Sequence, residues 1–160
     1  MVQIVKSSFY NTAMTAEELK AAYKLGRKDF SHSHLQNMCL QKAQLANINL
    51  SCAYLNRASL SKANLERSYL NKAMLYAVNL QQARLYQASL IEANLEKANL
   101  SHTILNHANL SGANLRNANL ECAHLAWANL RSANLLNGNL EGADLSGAKF
   151  CQTIMPDGSI

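Results

Sequence analysis

One stretch of the sequence, residues 108–130, decides the fold: ANLSGANLRNANLECAHLAWANL. Leucine stands at every fifth residue here, alanine stands two residues before each leucine, and asparagine usually lies between them. The same leucine spacing continues without a break from Leu35 to Leu145, with Phe30 before it and Phe150 after it in phase. The repeat unit is therefore Ala-Asn-Leu-x-x, and it occupies most of the 160 residues.

A period of five fits neither regular secondary structure. On an α-helix, five residues advance about 500°, so successive leucines point about 140° apart and form no apolar stripe. On a strand, side chains alternate between faces, so successive leucines point to opposite sides. All leucines reach one interior only if the backbone turns once per unit and winds into stacked coils. The spacing predicts a solenoid and leaves the number of units per coil open.

Unbroken tandem units of Ala-Asn-Leu-x-x resemble the pentapeptide-repeat family. Members of that family form a right-handed quadrilateral β-helix, in which each side of the coil is one pentapeptide and the leucine and small residue point inward. The resemblance implies an all-β fold with about 20 residues per coil and about six coils. It covers residues 29–153, most of the chain.

A short helix is predicted before the repeat. The segment Thr15-Ala-Glu-Glu18 has the pattern of a capping box, in which Glu18 reaches back to the N-cap residue. Leu19, Ala22 and Tyr23 then follow at the spacing of one apolar helical face. We expect a helix near residues 16–25 that lies over the first coil and protects its exposed edge.

These patterns divide the chain into three parts. Residues 1–28 are expected to form an N-terminal segment with the capping helix, residues 29–153 the repeat, and residues 154–160 a C-terminal tail. Two alternatives stay open for the first residues: a short strand through Val2 and Ile4, or loose chain.

The predicted interior argues against an enzyme. No titratable residue falls at an inward position between Leu35 and Leu145, so no buried acid, base or nucleophile is available for catalysis. A solenoid filled by leucine and alanine also leaves no room for a substrate or a cofactor. His102 and Cys122 lie 20 residues apart and would be neighbours, but two ligands are too few for a zinc site. We therefore predict no catalytic residues, no cofactor and no metal.

Location is predicted from three absences in the sequence. No run of about 18 apolar residues could form a membrane-spanning helix, and residues 1–10 lack the apolar core of a secretory signal. The four cysteines show no CxxC spacing, which favours reduced thiols over a disulfide framework. We expect a cytoplasmic protein.

A coil of about 20 residues makes residues 20 apart in the sequence neighbours on adjacent coils. This register predicts ion pairs between Lys72 and Glu92 and between Glu96 and Arg116, each worth under about 1 kcal/mol at an exposed site. It also predicts columns of asparagine whose amides hydrogen-bond along the rod. The two columns consist of Asn79, Asn99, Asn119 and Asn139, and of Asn94, Asn114 and Asn134.

Two outer features are candidates for contact with a partner protein. The first is a basic collar at one equivalent position of four successive units, formed by Arg57, Lys62, Arg67 and Lys72. The second is a set of large aromatic side chains on the outer surface, including Tyr76, Tyr86 and Trp127. In a chain of formal net charge +5, the collar is explained either by an anionic partner or by a solvated surface that prevents aggregation. Nucleic acid is disfavoured, because a collar does not follow a phosphate backbone.

The leading prediction is a non-catalytic scaffold that binds another protein, as a monomer or as an end-to-end homodimer through Ile154, Met155 and Ile160. The family resemblance implies two further roles. Some members mimic DNA and bind DNA gyrase, but that mimicry needs an acidic rod, whereas this chain has a pI of about 9.1. Others regulate cell differentiation in cyanobacteria, and nothing in these residues tests that role.

Overall fold

The computed structural model describes residues 14–160, and the alternatives for Val2 and Ile4 lie outside the described residues. Helix α1 spans Ala16–Lys24. From residue 29 onward the chain winds into coils that are joined by parallel β-bridges, and every bridge connects residues 20 apart, from Asp29–Asn49 to Asn134–Ile154. Each coil therefore contains four five-residue units.

The walls of the rod are too short for regular strands. In the described residues each unit contributes a single bridged residue and is followed by a tight turn, in which Ala43, for example, donates its N–H to the Leu40 carbonyl at 3.1 Å. The sequence predicted an all-β fold, and the structure has its parallel ladder but only isolated bridges. The reason is geometric, since a turn every five residues leaves three residues for each wall.

Every backbone N–H of a regular unit has an acceptor, as the unit Leu95–Asn99 shows. Four of its N–H groups donate to main-chain carbonyls at 2.8–3.0 Å, one across the turn and three on adjacent coils. The fifth belongs to Glu96 and donates to the Oδ1 atom of Asn94 at 3.2 Å. This bond explains why asparagine precedes leucine in the repeat, because its side chain satisfies an N–H that the ladder leaves free.

The interior is a column of leucine beside a column of small residues. Every leucine of the repeat from Leu35 to Leu135 is at most 1% exposed. Polar residues at the small inward position find internal acceptors: the Ser68 hydroxyl donates to the Leu65 carbonyl at 2.6 Å, and the Thr103 hydroxyl donates to the Leu80 carbonyl at 3.0 Å. Within residues 14–160 no buried side-chain nitrogen or oxygen lacks a partner.

Helix α1 lies against the first coil. The predicted capping box is confirmed, since Thr15 donates its N–H to Glu18 Oε2 at 2.8 Å and Glu18 donates its N–H to Thr15 Oγ1 at 3.2 Å. Leu19 is completely buried in the core, and the Tyr23 hydroxyl donates to the Ala46 carbonyl at 2.7 Å. The apolar helical face predicted from the spacing therefore contacts the rod.

The opposite end of the rod is more open. Leu140 and Leu145 are only partly buried, although they continue the leucine column, and Phe150 is 42% exposed. In the part of the chain that the structure describes, the N–H groups of these three residues have no backbone acceptor, because no further coil lies above them.

The corners of the rod consist of residues in the left-handed backbone region. From His32 to Gln152, the second residue of nearly every turn has a positive φ, between +52° and +62° where it is not glycine. This conformation costs about 1–2 kcal/mol for a residue with a β-carbon, and the surrounding ladder maintains it. The side chain of each such corner residue projects outward, where a partner can reach it.

Candidate protein-contact surface

The basic collar occupies all four corners of the rod at one level. Arg57, Lys62, Arg67 and Lys72 are second turn residues of four successive units, and all four are exposed. We name each corner after its collar residue. The 20-residue register places the Arg57 corner diagonally opposite the Arg67 corner, and the Lys62 corner opposite the Lys72 corner.

The predicted aromatic contacts divide between opposite corners. Tyr76 lies on the Arg57 corner, whereas Tyr86 and Trp127 lie on the Arg67 corner. Residues ten apart in the sequence differ by half a coil and therefore face away from each other. The seven candidate residues do not form one continuous surface, so a single small partner cannot contact them all.

Trp127 is 59% exposed, and its indole lies over Gly147 of the next coil. The ladder brings the position of Trp127 beside that of His107, since His107 donates its N–H to the Ala126 carbonyl at 3.0 Å. Their two rings do not stack among the aromatic contacts of residues 14–160. The His107 ring instead meets Tyr86 edge-on, with centroids 5.6 Å apart and planes at 80°.

Tyr76 is half-buried and fixed by its neighbours. Its N–H donates to Asn56 Oδ1 at 3.0 Å, and the Lys97 ammonium lies 5.5 Å from the centroid of its ring. A side-chain hydrogen bond with Tyr76 is the main reason that the pKa of Lys97 lies above its ordinary value of 10.5. Lys97 therefore stays charged beside this ring at physiological pH.

Sequence reasoning missed one column of large side chains, the wall between the Lys72 and Arg57 corners. His34, Tyr54 and Met74 follow each other there, each 20 residues after the last, and we call these three residues the Tyr54 wall. The His34 and Tyr54 rings stack with centroids 4.6 Å apart and planes at 5°. A shallow groove of about 470 Å³ runs along the edge of this wall, between Met74, Tyr76, Arg57 and Asn94. The 20-residue spacing was the signal that could have revealed it.

One of the two predicted ion pairs is confirmed. Lys72 Nζ lies 3.5 Å from Glu92 Oε2. The predicted Glu96–Arg116 pair is wrong: no such contact occurs within residues 14–160, and Glu96 Oε2 accepts a hydrogen bond from Asn114 at 3.5 Å instead.

An unpredicted pair forms between Arg84 Nη2 and Glu66 Oε1 at 2.6 Å. These residues are 18 apart, and they meet diagonally rather than within one column. All three ionic contacts of the rod and helix α1 in the described part of the chain are on the outer surface, so they add little to stability.

Within residues 14–160 no three histidine, cysteine, aspartate or glutamate side chains converge as metal ligands would. The four cysteines are free thiols. The chemistry offered by this surface is binding through aromatic, cationic and amide groups.

Parallel coils around a buried leucine core, with one turn per five residues, define a solenoid of the repeat-protein class. The chain belongs to the pentapeptide repeat family. The family model for pentapeptide repeats matches it in 8 copies, over residues 29–106 and 108–155. Proteins of this family form right-handed β-helices, and the parallel bridges described above are those of a β-helix.

Three solved structures of the family resemble this chain. Rfr23 from the cyanobacterium Cyanothece 51142 is 43% identical, with a TM-score of 0.58, over 59% of this chain and 65% of Rfr23. A protein from Nostoc PCC 7120 is 30% identical, with a TM-score of 0.35, over 86% of this chain and 96% of that one. HetL from Nostoc sp. strain PCC 7120, which is involved in heterocyst differentiation regulation, is 27% identical, with a TM-score of 0.32, over 92% of this chain and 99% of HetL.

The match with Rfr23 thus spans slightly less than two thirds of that protein's length. No curated protein sequence matches this chain. In residues 14–160 there is no helix of the length and apolarity that crossing a bilayer requires.

Proposed function

We propose that this protein is a non-catalytic scaffold that binds another protein through the outer surface of its rod. The proposal is supported chiefly by the contrast between interior and exterior. Leucine and alanine fill most of the interior, while the walls and corners present a regular lattice on which side chains vary freely. Such a lattice suits the extended binding surfaces that solenoids offer.

The experiment is affinity capture of the full-length chain from extracts of its own cells, followed by mass spectrometry. Wild type is compared with Trp127→Ala and with a collar variant in which Arg57, Lys62, Arg67 and Lys72 are all changed to serine. We expect a specific partner that is retained by the wild type and reduced in at least one variant. Capture of no specific protein at native salt would contradict the proposal.

We further propose the finer architecture of the rod. Residues 29–153 form about six coils, which at about 4.8 Å each give a rod roughly 30 Å long. Helix α1 of the N-terminal segment 1–28 covers the first edge of the rod, and residues 154–160 form a tail. The protein acts in the cytoplasm, consistent with the four free thiols.

The open end supports a second copy of the chain as one partner. Phe150 and Ile160 are 42% and 88% exposed there, beside N–H groups without acceptors in the described residues. An end-to-end homodimer would cover both features. Sedimentation equilibrium tests it: we expect a dimer that Phe150→Ser and Ile160→Ser weaken, and a strict monomer at high concentration contradicts it.

Mimicry of DNA is a weaker alternative. Gyrase recognition through mimicry requires dense negative charge, but the four corners of one coil carry arginine or lysine. We expect gyrase supercoiling to proceed unchanged in excess protein, and inhibition would favour the alternative. Regulation of cyanobacterial cell differentiation stays a prediction from the family resemblance alone.

A further inference from the structure

The Tyr54 wall carries large side chains at positions where the repeat usually has asparagine. The fold does not require these large side chains. The corresponding wall residues of later coils are Asn94, Asn114 and Asn134, which accept the N–H of the residue two positions further on. At Met74 no such acceptor exists, and Asn56 of the preceding coil accepts the Tyr76 N–H instead. The backbone is thus satisfied without asparagine at position 74, and a large apolar side chain there adds nothing to the ladder.

The wall is both exposed and ordered. Tyr54 is 39% exposed and Met74 is 38% exposed, although each is an apolar side chain at the centre of a flat surface. Parallel stacking of the His34 and Tyr54 rings at 4.6 Å restricts both side chains before any partner arrives. A pre-ordered aromatic surface loses little conformational entropy on binding, and tyrosine and methionine are enriched at the centres of protein interfaces.

Basic side chains border the wall on both sides, and one of them, Arg57, has no acidic partner in the described residues. Lys72 and Arg57 lie at its two edges, and Lys97 follows two coils after Arg57 on the same corner. Glu92 neutralises Lys72 at 3.5 Å, and Glu96 lies next to Lys97 in the chain. Arg57 has no carboxylate within salt-bridge distance in residues 14–160. The immediate surroundings therefore carry a net positive charge that favours an anionic partner.

We propose that the Tyr54 wall and Arg57 bind an extended acidic segment of a partner protein, with an aromatic side chain of that segment lying against Tyr54 and Met74. The inference rests on the proposed scaffold function and specifies its surface. The groove between Met74, Tyr76 and Arg57 is shallow and open, which suits an extended chain better than a compact ligand. A carboxylate beside the aromatic residue would reach the Arg57 guanidinium, which forms paired hydrogen bonds with such groups.

The test uses short synthetic peptides and the full-length protein. One peptide contains a single tryptophan flanked by aspartate and glutamate, and two controls replace the tryptophan by serine or the acidic residues by lysine. Binding is measured by fluorescence anisotropy of labelled peptides. The site is located from the methyl NMR signal of Met74, which is assigned with the variant Met74→Leu.

We expect the acidic aromatic peptide to bind and to shift the Met74 signal, while both control peptides bind at least about tenfold more weakly. Tyr54→Ser and Arg57→Glu should each weaken binding about tenfold or more. The matched control is Lys42→Glu, which makes the same charge change on an exposed residue of the Lys62 corner, away from the wall. Tyr69→Ser is a second control, since it makes the same change as Tyr54→Ser on a neighbouring wall, and both should retain binding within about twofold.

Four results would overturn the inference: no binding of the acidic aromatic peptide, equal loss with Lys42→Glu, an unmoved Met74 signal, or an oligomer of the protein that Tyr54→Ser dissociates. The last result would identify a second copy as the occupant. Failure of this inference is distinguishable from failure of the scaffold function. If a partner captured from cells still binds the variants Tyr54→Ser and Arg57→Glu, only the assignment of the binding surface is wrong. Capture of no partner would contradict the scaffold function itself.

Discussion

The indole of Trp127 covers the α-carbon of Gly147 so closely that a β-carbon on Gly147 would lie 2.7 Å from the ring atoms Cδ2 and Cε3. Gly147 also has φ +67°, in the left-handed region that glycine adopts without strain. The contact links two corner residues of adjacent coils. The contact also restrains Trp127, the only tryptophan of the chain, so a change in the contact can be observed by tryptophan fluorescence.

Gly147→Ala should displace the Trp127 ring and lower the free energy of unfolding by about 1–3 kcal/mol, because the added methyl group overlaps a rigid ring. Tryptophan emission and thermal unfolding measure the two effects. Gly112→Ala is the matched control. It has the same positive φ, but its nearest neighbour is Glu92 Cγ at 3.2 Å, on a flexible side chain. Similar losses of stability in the two variants, with unchanged emission, would contradict the close contact.

Leu90→Ala should be among the most destabilising single substitutions. Leu90 is completely buried in the middle of the leucine column, so its truncation leaves a cavity that the coils above and below cannot fill. We expect a loss of about 2–5 kcal/mol in urea unfolding. Leu145→Ala, at the open end where the side chain is only partly buried, should cost clearly less. Equal losses would mean that the end of the rod is covered in solution.

The two hydrogen bonds accepted by Asn109 can be tested together. Its Oδ1 atom accepts the Ser111 N–H and the Asn129 side-chain amide, both at 3.1 Å. Asn109→Ala removes both bonds and should cost about 1–2 kcal/mol. Asn109→Asp keeps the acceptor oxygen, so above about pH 5 it should change the free energy of unfolding very little. Thermal unfolding of both variants at neutral pH measures the difference, and equal destabilisation would show that the acceptor is unimportant.

Asp29 makes stability depend on pH. Its carboxylate accepts the Ser31 N–H and the Asn49 amide, both at 3.0 Å. The Ser31 backbone hydrogen bond, aided by the Ser31 side chain and Arg27, holds the pKa of Asp29 below its ordinary value of 3.8. Because the folded pKa is the lower one, this contribution to stability is present above pH 3.8 and is lost as the pH falls through the folded value.

Asp29→Asn should remove that contribution. The difference in unfolding free energy between wild type and variant should therefore shrink between neutral pH and about pH 2, as urea titrations at several pH values would show. Asp157→Asn provides a comparison. Hydrogen bonds with Ser159 lower the pKa of Asp157 in the same way, but Asp157 lies in the tail beyond the ladder. A constant difference for Asp29→Asn across this range would contradict the assignment.

The repeat made the columns of this rod predictable, because the side-chain period and the coil period are both visible as spacings. Lys72 and Glu92 meet as the 20-residue register requires. Glu96 and Arg116 obey the same register and do not meet, since the backbone fixes a column but not the rotamers of long exposed side chains. The Arg84–Glu66 pair depends on a diagonal approach that no single spacing indicates.

The candidate surface was less predictable than the fold. The sequence singled out Tyr76 and Tyr86 because both are large and outward-facing, but their separation of ten residues places them on opposite corners. His34 and Tyr54 were overlooked as a pair, although their spacing of 20 brings them into contact. The second hydrogen-bonding role of asparagine, toward the backbone N–H two residues later, also requires the turn geometry and not only the repeat pattern.

The strict bridging of residues 20 apart also determines how such a rod can change its length. Insertion of five residues would rotate everything beyond it by a quarter turn, so that Tyr54 and Met74 would no longer share a wall if the insertion fell between them. Duplication of a whole coil would lengthen the rod by about 4.8 Å and leave all four columns aligned. Growth by complete coils is therefore the route along which a binding surface survives.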